Sequence, residues 1–421
     1  MSPTTITLLF LAFAVISFLL EKIPLGLTAT IVALGLNLTG VLDASQTFAG
    51  YVNSNVILCV GMFVVGQALF ETGMANKIGG LVTRFARGEK MLIIAIMLIV
   101  GVMSGFLSNT GTAAVLIPVV CGIADESGYS RSRLLMPLVF AAALGGNLSI
   151  IGAPGNLMGV NALQELGLET SFFMYAPVGV PMLLAGIAYF AVIGYKFLPD
   201  GNQGSGEAAE KQPDFSDVPA WKQITSLVVL VLVILAMIFE KQIGIKIQVS
   251  ACIGAVILVL TGVISEKAAL NSIDLKVVLL FGGSLALASA LESTGAGSLI
   301  ADQLVGLLGT NPNPLILLLA IFIVTCVLTN FMSNTATTAL MVPIAVSLAQ
   351  SLGADPRAVV IATVIAGSCA YATPIGMPAN TMVVGLGGYR FSDYVKSGLP
   401  LILVSFVICM VLLPILYPFY P

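Results

Sequence analysis

Two identical polar triplets interrupt apolar stretches of this chain: Ser108–Thr110 in "FLSNTGTAAVLIP" and Ser333–Thr335 in "FMSNTATTALMVP". Their O–H and N–H groups are neutral donors for an anion. A helix that restarts after such a triplet also presents unpaired N–H groups and a positive dipole end, while the helix before it ends in unpaired carbonyls, which suit a hard cation such as sodium. The triplets therefore predict an anion site flanked by cation sites.

A second pair of motifs follows the triplets at nearly the same spacing: "GAPGN" at 152–156 and "GMPAN" at 376–380. The glycine can bring a carbonyl close to a ligand, and the proline leaves a carbonyl without its helical hydrogen bond. Either motif alone is weak evidence, because glycine and proline are frequent in membrane helices and a lone serine is explained as an ordinary helix cap. The repetition of both motifs favours a functional interpretation.

These motifs lie in a chain whose composition suits lipid. Residues of the set AVILMFWYC make up 58% of the sequence and charged residues 9%. A soluble domain carries about 25% charged residues. Apolar stretches of about the 20 residues that a bilayer demands occur, for example, at 5–20, 173–198, 223–239 and 398–419. We predict an all-α polytopic membrane protein.

The composition also excludes several classes of function. The sequence contains no histidine, so histidine metal sites and histidine proton relays are excluded. The net charge of −3 offers no basic surface for nucleic acid. No carboxylate adjoins the triplets, so an enzyme would lack its general base, and we expect no enzymatic activity. A channel would show a continuous polar path, whereas these polar residues concentrate at one depth.

The nearly constant spacing of the motif pairs indicates a two-fold internal repeat. If the triplets lie at the tips of re-entrant hairpins, each half crosses the membrane five times, and an odd number of crossings inverts the second half. We therefore predict two inverted-topology repeats with ten transmembrane spans, two re-entrant hairpins and helices broken at mid-membrane. The predicted units are a first repeat at 1–198, with a hairpin at about 91–123 and a broken helix at about 131–165; a linker at 199–221; and a second repeat at 222–421, with a hairpin at about 313–352 and a broken helix at about 355–387.

Basic residues test this topology, because they accumulate on the cytoplasmic side of a membrane protein. The predicted crossings place all 17 lysines and arginines on one side except Lys241, Lys246 and Arg357. One miscounted crossing would remove this segregation. We therefore expect a multi-pass protein of a prokaryotic plasma (inner) membrane, in contact with lipid, with both termini outside and the 199–221 linker in the cytoplasm.

The paired SNT triplets, the two predicted hairpins and the paired Gly-x-Pro-x-Asn motifs resemble the divalent anion:sodium symporter family of the ion transporter superfamily, over nearly the whole chain. Members carry a small hydroxyl residue four positions before each triplet, and this chain has Ser104 in "SGFLSNT" and Thr329 in "TNFMSNT". The resemblance implies two sodium sites. Their ligands would be Ser104, Ser108, Asn109 and Gly152 in the first site, and Thr329, Ser333, Asn334 and Gly376 in the second.

The resemblance also implies that the anion lies between the two triplets. The residues expected around it are Ser108, Asn109, Thr110, Ser333, Asn334, Thr335, Pro154, Met377 and Pro378. Many dicarboxylate-carrying relatives read Gly-Thr-Pro-Pro-Asn at the second motif, whereas Ala153 and Met377 replace the threonine here, and Gly155 and Ala379 replace the second proline. Because two hydroxyls near the anion are lost, the identity of the substrate stays open.

The function implied is sodium-coupled symport of a small divalent anion by a homodimer with an elevator mechanism, with sodium bound at two or more sites. A C4 dicarboxylate such as succinate, malate or fumarate is the leading substrate, and sulfate is the alternative. A sodium-independent dicarboxylate exchanger is a further alternative. Glu71 and Glu292, at the ends of the third spans of the two halves, leave a proton-coupled mechanism open, although a capping or solvated role is favoured.

Overall fold

The structure, a computed structural model, describes residues 1–20, 22–81, 88–199, 215–308 and 313–420. All regular secondary structure in these residues is helical. Most of the predicted 199–221 linker lies outside the described residues. The first half contains α1 (Pro3–Leu20), α2 (Leu25–Leu38), α3 (Ala44–Ala49), α4 (Ser54–Glu71), α5 (Met74–Gly80), α6 (Glu89–Ser104), α7 (Asn109–Ser127), α8 (Arg131–Gly145), α9 (Pro154–Glu165) and α10 (Ala176–Val192). The second half contains α11 (Ala220–Ile238), α12 (Glu240–Ile243), α13 (Ile247–Leu260), α14 (Glu266–Ser272), α15 (Leu275–Ser293), α16 (Ala296–Leu308), α17 (Pro314–Thr329), α18 (Asn334–Ser351), α19 (Pro356–Gly367), α20 (Pro378–Gly387) and α21 (Phe391–Leu416).

The helices are interrupted at each triplet. Helix α6 ends at Ser104 and α7 begins at Asn109; in the second half α17 ends at Thr329 and α18 begins at Asn334. A serine occupies the N-cap position of α7 and of α18, and its hydroxyl oxygen accepts a backbone N–H of the first turn. Such a cap stabilises a helix by about 0.5–2 kcal/mol. Helices α6 and α7 pack against each other and against α8, as α17 and α18 do with α19.

A second interruption follows in each half. Helix α8 ends at Gly145 and α9 begins at Pro154; α19 ends at Gly367 and α20 begins at Pro378. Proline suits the first position of a helix, because it has no N–H group and its φ angle is already helical. The segments between these helices, 146–153 and 368–377, lack the regular bonds of a helix. Their backbone polar groups must therefore find other partners.

The two halves pack into each other through close helix pairs. Helix α2 lies along α15, and α13 lies along α4. At Gly283 of α15, an added Cβ would lie 2.4 Å from the carbonyl oxygen of Ala29 in α2. At Gly61 of α4, it would lie 2.8 Å from the Cβ of Ala251 in α13. Glycine permits both approaches, and small residues at helix contacts are typical of packing within lipid.

Several helices have the length and composition of membrane spans. Six helical stretches in the described part of the chain are long and apolar enough, the second of which combines α3 and α4: Pro3–Leu20, Ala44–Glu71, Asn109–Ser127, Ala220–Ile238, Leu275–Ser293 and Phe391–Leu416. The last of these, α21, carries an exposed apolar stripe at four-residue spacing. The stripe consists of Leu399, Leu403, Val407, Val411 and Ile415. A continuous apolar surface of this length suits lipid and not water.

Helix α9 of the first half packs on α18 of the second half. An added Cβ on Gly155, in the first turn of α9, would lie 2.9 Å from Thr338 Oγ1 in α18. The matching helices, α20 and α7, also pack together. There the equivalent positions hold Ala379 and Ala113, both fully buried. The first contact thus pairs a glycine with a threonine, whereas the matching positions of the second contact hold two alanines.

We expect Gly155→Ala to destabilise the protein, because the new methyl group would press on the Thr338 hydroxyl, and crowding of this kind costs about 1–3 kcal/mol. The double variant Gly155→Ala/Thr338→Ala should recover most of the loss, since it copies the alanine pair of the matching contact. Thermal unfolding of detergent-purified protein measures both variants. Gly66→Ala in α4 is the control, because its Cβ would meet Leu107 at an ordinary distance of 3.6 Å. Equal unfolding temperatures for the single and double variants would refute this packing argument.

Candidate cation and anion site

Three polar groups of the first half converge at the Asn109 side chain. One terminal atom of its amide lies 2.7 Å from Ser104 Oγ and 3.1 Å from the backbone carbonyl oxygens of both Ala142 and Gly152. Ser104 Oγ donates to the Ala142 carbonyl over 2.7 Å. Ser104 is fully buried, and Asn109 is half-buried. The structure therefore brings Ser104, Asn109 and Gly152, all predicted for the first sodium site, around one point.

The second half repeats this arrangement. One terminal atom of the Asn334 amide lies 2.8 Å from Thr329 Oγ1 and 3.1 Å from the carbonyl oxygens of Gly367 and Gly376. Thr329 Oγ1 donates to the Gly367 carbonyl. These distances nearly equal those of the first half. We name these groups the first cluster (Ser104, Asn109, Ala142 and Gly152) and the second cluster (Thr329, Asn334, Gly367 and Gly376).

The orientation of the asparagine amide decides what each cluster can bind. With its nitrogen at the point of convergence, the two N–H donors of the amide are shared among the hydroxyl and the two carbonyls, and the cluster closes on itself. With its oxygen there, four neutral oxygens face one another and no N–H group lies among them. Oxygen ligands of this type suit a hard, spherical cation. Because none of the cluster residues is charged, a cation bound there would give the site a net positive charge.

Matched asparagines hold the non-helical segments in place. Asn156 of "GAPGN" donates through Nδ2 to the carbonyls of Gly146 and Ser149, both over 2.7 Å. Asn380 of "GMPAN" makes the matching pair of bonds in the second half, over 2.7 and 3.0 Å. Both asparagines are fully buried. The asparagine of each motif therefore satisfies carbonyls that the broken helix leaves without partners.

Hydroxyl groups connect these segments to the hairpin turns. Ser149 Oγ donates to the carbonyl of Gly105, between α6 and α7. Thr373 Oγ1 donates to the carbonyl of Asn330, between α17 and α18. Each cluster thus lies where a hairpin turn and a broken helix are bonded together. These hydroxyls were not predicted, although each lies three residues before the motif glycine in both halves.

Helix N-termini adjoin the clusters. Ser108 and Ser333, the remaining residues predicted for the sodium sites, accept first-turn N–H groups over 3.1 and 3.2 Å as the N-caps of α7 and α18. The N-cap residues of α9 and α20 are Ala153 and Met377, and neither makes a side-chain cap. Because α9 packs on α18 and α20 packs on α7, N-termini from both halves lie side by side. Their positive dipole ends favour an anion.

The residues predicted to surround the anion lie at different depths. The six triplet residues are half-buried: Ser108, Asn109, Thr110, Ser333, Asn334 and Thr335. Pro154 is also half-buried, whereas Pro378 is exposed. Met377 is 2% exposed. The side chain of Met377 therefore packs in the interior, while the two triplets and Pro378 have surface that a ligand can reach.

The two breaks differ in how they are covered. At the first break, Met62 and Phe63 of α4 line a cavity of about 30 Å³ together with Gly152. That volume holds about one water molecule. At the second break, Phe331 is 54% and Ile375 is 55% exposed. A neighbouring helix therefore lies against the first break, whereas these two side chains of the second break are exposed.

Two members of the clusters were missed by sequence reasoning. Ala142 and Gly367 contribute only backbone carbonyl oxygens, from the last turns of α8 and α19. The one available signal was their matched position before the two Gly-x-Pro-x-Asn motifs. Glu71 and Glu292 lie exposed at the ends of α4 and α15. They belong to neither cluster.

Comparison with known proteins identifies the family. Residues 15–364 and 234–420 match the family model described as "Citrate transporter". An uncharacterized transporter of Haemophilus influenzae is 29% identical, over 95% of this chain and 89% of that protein. Sodium-dependent high-affinity dicarboxylate transporter 3 of Caenorhabditis elegans is 26% identical, over 90% of this chain and 77% of that protein. Both relatives are named as transporters, and the match extends over most of each chain.

A solved structure has the same fold. The crystal structure of the Alcanivorax borkumensis YdaH transporter superposes with a TM-score of 0.67 at 16% sequence identity and covers 97% of both chains. At that identity the likeness concerns the fold alone. The resemblance inferred from the paired triplets is confirmed by the family match, and the protein is a membrane transporter and not an enzyme. The chain belongs to the citrate transporter family of multi-pass membrane transporters.

Proposed function

We propose that this protein is a sodium-coupled symporter that carries a small divalent anion into the cell. The observation that carries the proposal is the pair of matched oxygen clusters at Asn109 and Asn334, each beside helix N-termini. Broken helices in transporters bind ions in this way, through carbonyl ends and N–H ends instead of charged side chains. Sodium ions would supply the positive charge that a divalent anion needs among neutral groups.

Each of the two clusters would bind one sodium ion, so at least two ions would accompany the anion. Moving one elementary charge across 100 mV changes the free energy by about 2.3 kcal/mol. A doubly charged anion entering a negative cell therefore meets a cost of about 4.6 kcal/mol, and two sodium ions entering with it cancel that cost. The proposed ligands of the first ion are Ser104, Ser108, Asn109, Gly152 and the added Ala142 carbonyl. Those of the second are Thr329, Ser333, Asn334, Gly376 and the added Gly367 carbonyl.

The anion would lie between the two triplets, at residues 108–110 and 333–335, with Pro154, Met377 and Pro378 beside it. Support comes from the N-termini of α9 and α20, which have no side-chain cap and can donate first-turn N–H groups. Threonine hydroxyls in the triplets add neutral donors. The sodium ions on either side would hold the anion electrostatically, so that binding of the ions and of the anion is coupled.

The leading substrate is a C4 dicarboxylate such as succinate, malate or fumarate. The C. elegans relative, which is named a sodium-dependent dicarboxylate transporter, supports this choice. Sulfate is the second candidate, and a specific observation favours it. The N-caps of α9 and α20, Ala153 and Met377, offer no hydroxyl to a second carboxylate, and Met377 fills interior space. A compact anion needs fewer donors.

We further propose an elevator mechanism. The two hairpins (about 91–123 and 313–352) and the two broken helices (about 131–165 and 355–387) would move as one transport domain against a fixed scaffold, in a homodimer. The matched helix pairs α2–α15 and α13–α4 support two inverted repeats, 1–198 and 222–421.

The proposed topology has ten spans, both termini outside and the 199–221 linker in the cytoplasm. Ser2→Cys and Lys241→Cys should react with a membrane-impermeant maleimide on intact cells, whereas Glu126→Cys should react only after the membrane is opened. The native cysteines give a low background, because five are buried and Cys252 is half-buried. Labelling of Glu126→Cys in intact cells, or protection of Lys241→Cys, would reject this topology.

The experiment that tests the function uses purified protein in liposomes. Uptake of labelled succinate, citrate, sulfate and phosphate is measured with and without an inward sodium gradient. We expect sodium-dependent uptake of one of these anions, and that anion would be the substrate. Uptake only into liposomes loaded with the same anion, regardless of sodium, would mean an exchanger, and the sodium sites would have to be withdrawn.

Asn109→Ala and Asn334→Ala should each lower uptake by about a hundredfold or more, because each removes the side chain at the centre of a cluster. Folding should be retained, since both asparagines are half-buried and lie at a helix start. Size-exclusion chromatography checks this point. Asn37→Ala in α2 is the matched control, because it removes an asparagine amide outside both clusters. Normal uptake by either cluster variant would be incompatible with the proposed site.

A further inference from the structure

We infer that Asn330 positions the second cluster for its cation and makes it the tighter of the two sodium sites; this inference rests on the proposed sodium coupling. Asn330 is the C-cap residue of α17, directly after Thr329 of the cluster. It is only 6% exposed. The matching position of the first half is Gly105, the C-cap residue of α6. The two clusters thus have the same ligands but different supports.

All polar groups of the Asn330 side chain have backbone partners. Its Nδ2 donates to the carbonyl of Cys326 over 2.8 Å and to that of Cys369 over 3.1 Å. Its Oδ1 accepts the N–H of Ala372 over 3.0 Å. Its backbone carbonyl accepts the hydroxyl of Thr373. The bonds to Cys369, Ala372 and Thr373 join the end of α17 to the non-helical segment 368–377.

The two parts that Asn330 joins carry the oxygens of the second cluster. Thr329 is the last residue of α17, while Gly367 and Gly376 lie at the two ends of the non-helical segment. The parts touch, because an added Cβ on Gly376 would lie 2.3 Å from the Thr329 carbonyl oxygen. Asn330 therefore keeps the four oxygens at their spacing before an ion arrives. A site ordered in advance loses less conformational freedom on binding and holds its ligand more tightly.

The first cluster has a different support. An added Cβ on Gly105 would lie 2.9 Å from the Cβ of Leu148, so a leucine from the non-helical segment fills the space that Asn330 fills in the second half. One hydroxyl bond, from Ser149, remains. Apolar contact is non-directional, whereas hydrogen bonds weaken steeply when their angles change. The first cluster is therefore held less firmly, and the geometry assigns the stronger sodium binding to the second.

The test is equilibrium binding of radiolabelled sodium to the purified protein, with choline chloride keeping the ionic strength constant. The wild-type protein should show two classes of site. Asn330→Ala should weaken the tighter class about tenfold, because buried hydrogen bonds are lost. The weaker class should change by less than about twofold, since distant sites act independently. Asn37→Ala is the control: its amide donates to the Leu42 carbonyl over 3.2 Å, outside both clusters.

Unchanged sodium affinities in Asn330→Ala would overturn the inference and leave sodium coupling in place. Absence of sodium binding by the wild-type protein would overturn both. If Asn330 is merely structural, Asn330→Ala should lower the unfolding temperature equally in sodium and in choline. If Asn330 positions the cluster, the variant should also lose part of the extra stability that sodium gives. If Asn330→Ala does not purify as folded protein, Thr373→Val decides, because it removes the hydroxyl bond to the same turn. The same selective loss is expected, and unchanged binding would overturn the inference.

Discussion

The constraint on which the rest of this structure depends is that backbone polar groups inside a membrane must find partners within the protein. A continuous helix meets this constraint by itself, and a broken helix does not. Here each break is satisfied from within its own half, by Asn156 or Asn380 and by the hydroxyl of Ser149 or Thr373. The carbonyls of Gly152 and Gly376 within the breaks, and those of Ala142 and Gly367 at the ends of the preceding helices, converge on the amide of Asn109 or Asn334. Each cluster therefore lies at the break itself.

The neutrality of the clusters follows from the same constraint. A fixed charge inside a membrane would be costly whenever its counter-ion left, and ionisable residues within membrane segments are therefore rare. Hydroxyls, amides and carbonyls avoid that cost. They can bond to one another when the site is empty, as Ser104 does with Ala142 and Thr329 does with Gly367. An asparagine is well suited to the centre, because turning its amide exchanges a donor for an acceptor without any change of charge.

The sequence was sufficient to locate the breaks, because serine before a helix and proline at its first position act locally. It was also sufficient for the family, since the paired triplets and the hydroxyls at Ser104 and Thr329 are specific. It could not reveal Ala142 and Gly367, which act through backbone atoms and have no distinctive side chain. Nor could it show that α4 lies against the first break or that Asn330 and Gly105 differ in role, because both depend on contacts between distant segments. The sodium ligands, the topology and the substrate stay predictions.

The pairing of α2 with α15 and of α4 with α13 bears on how the chain is made. Helix α15 begins about 250 residues after α2, and at ribosomal rates of about 5–20 residues per second that separation is a delay of roughly ten to fifty seconds. During this time the small-residue face of α2 around Ala29 has no Gly283 to receive it. The half-made protein must therefore wait in the bilayer with its future contact surfaces turned to lipid or to the insertion machinery. The contacts of the first half with α13 and α15 can form only after the second half has been synthesised.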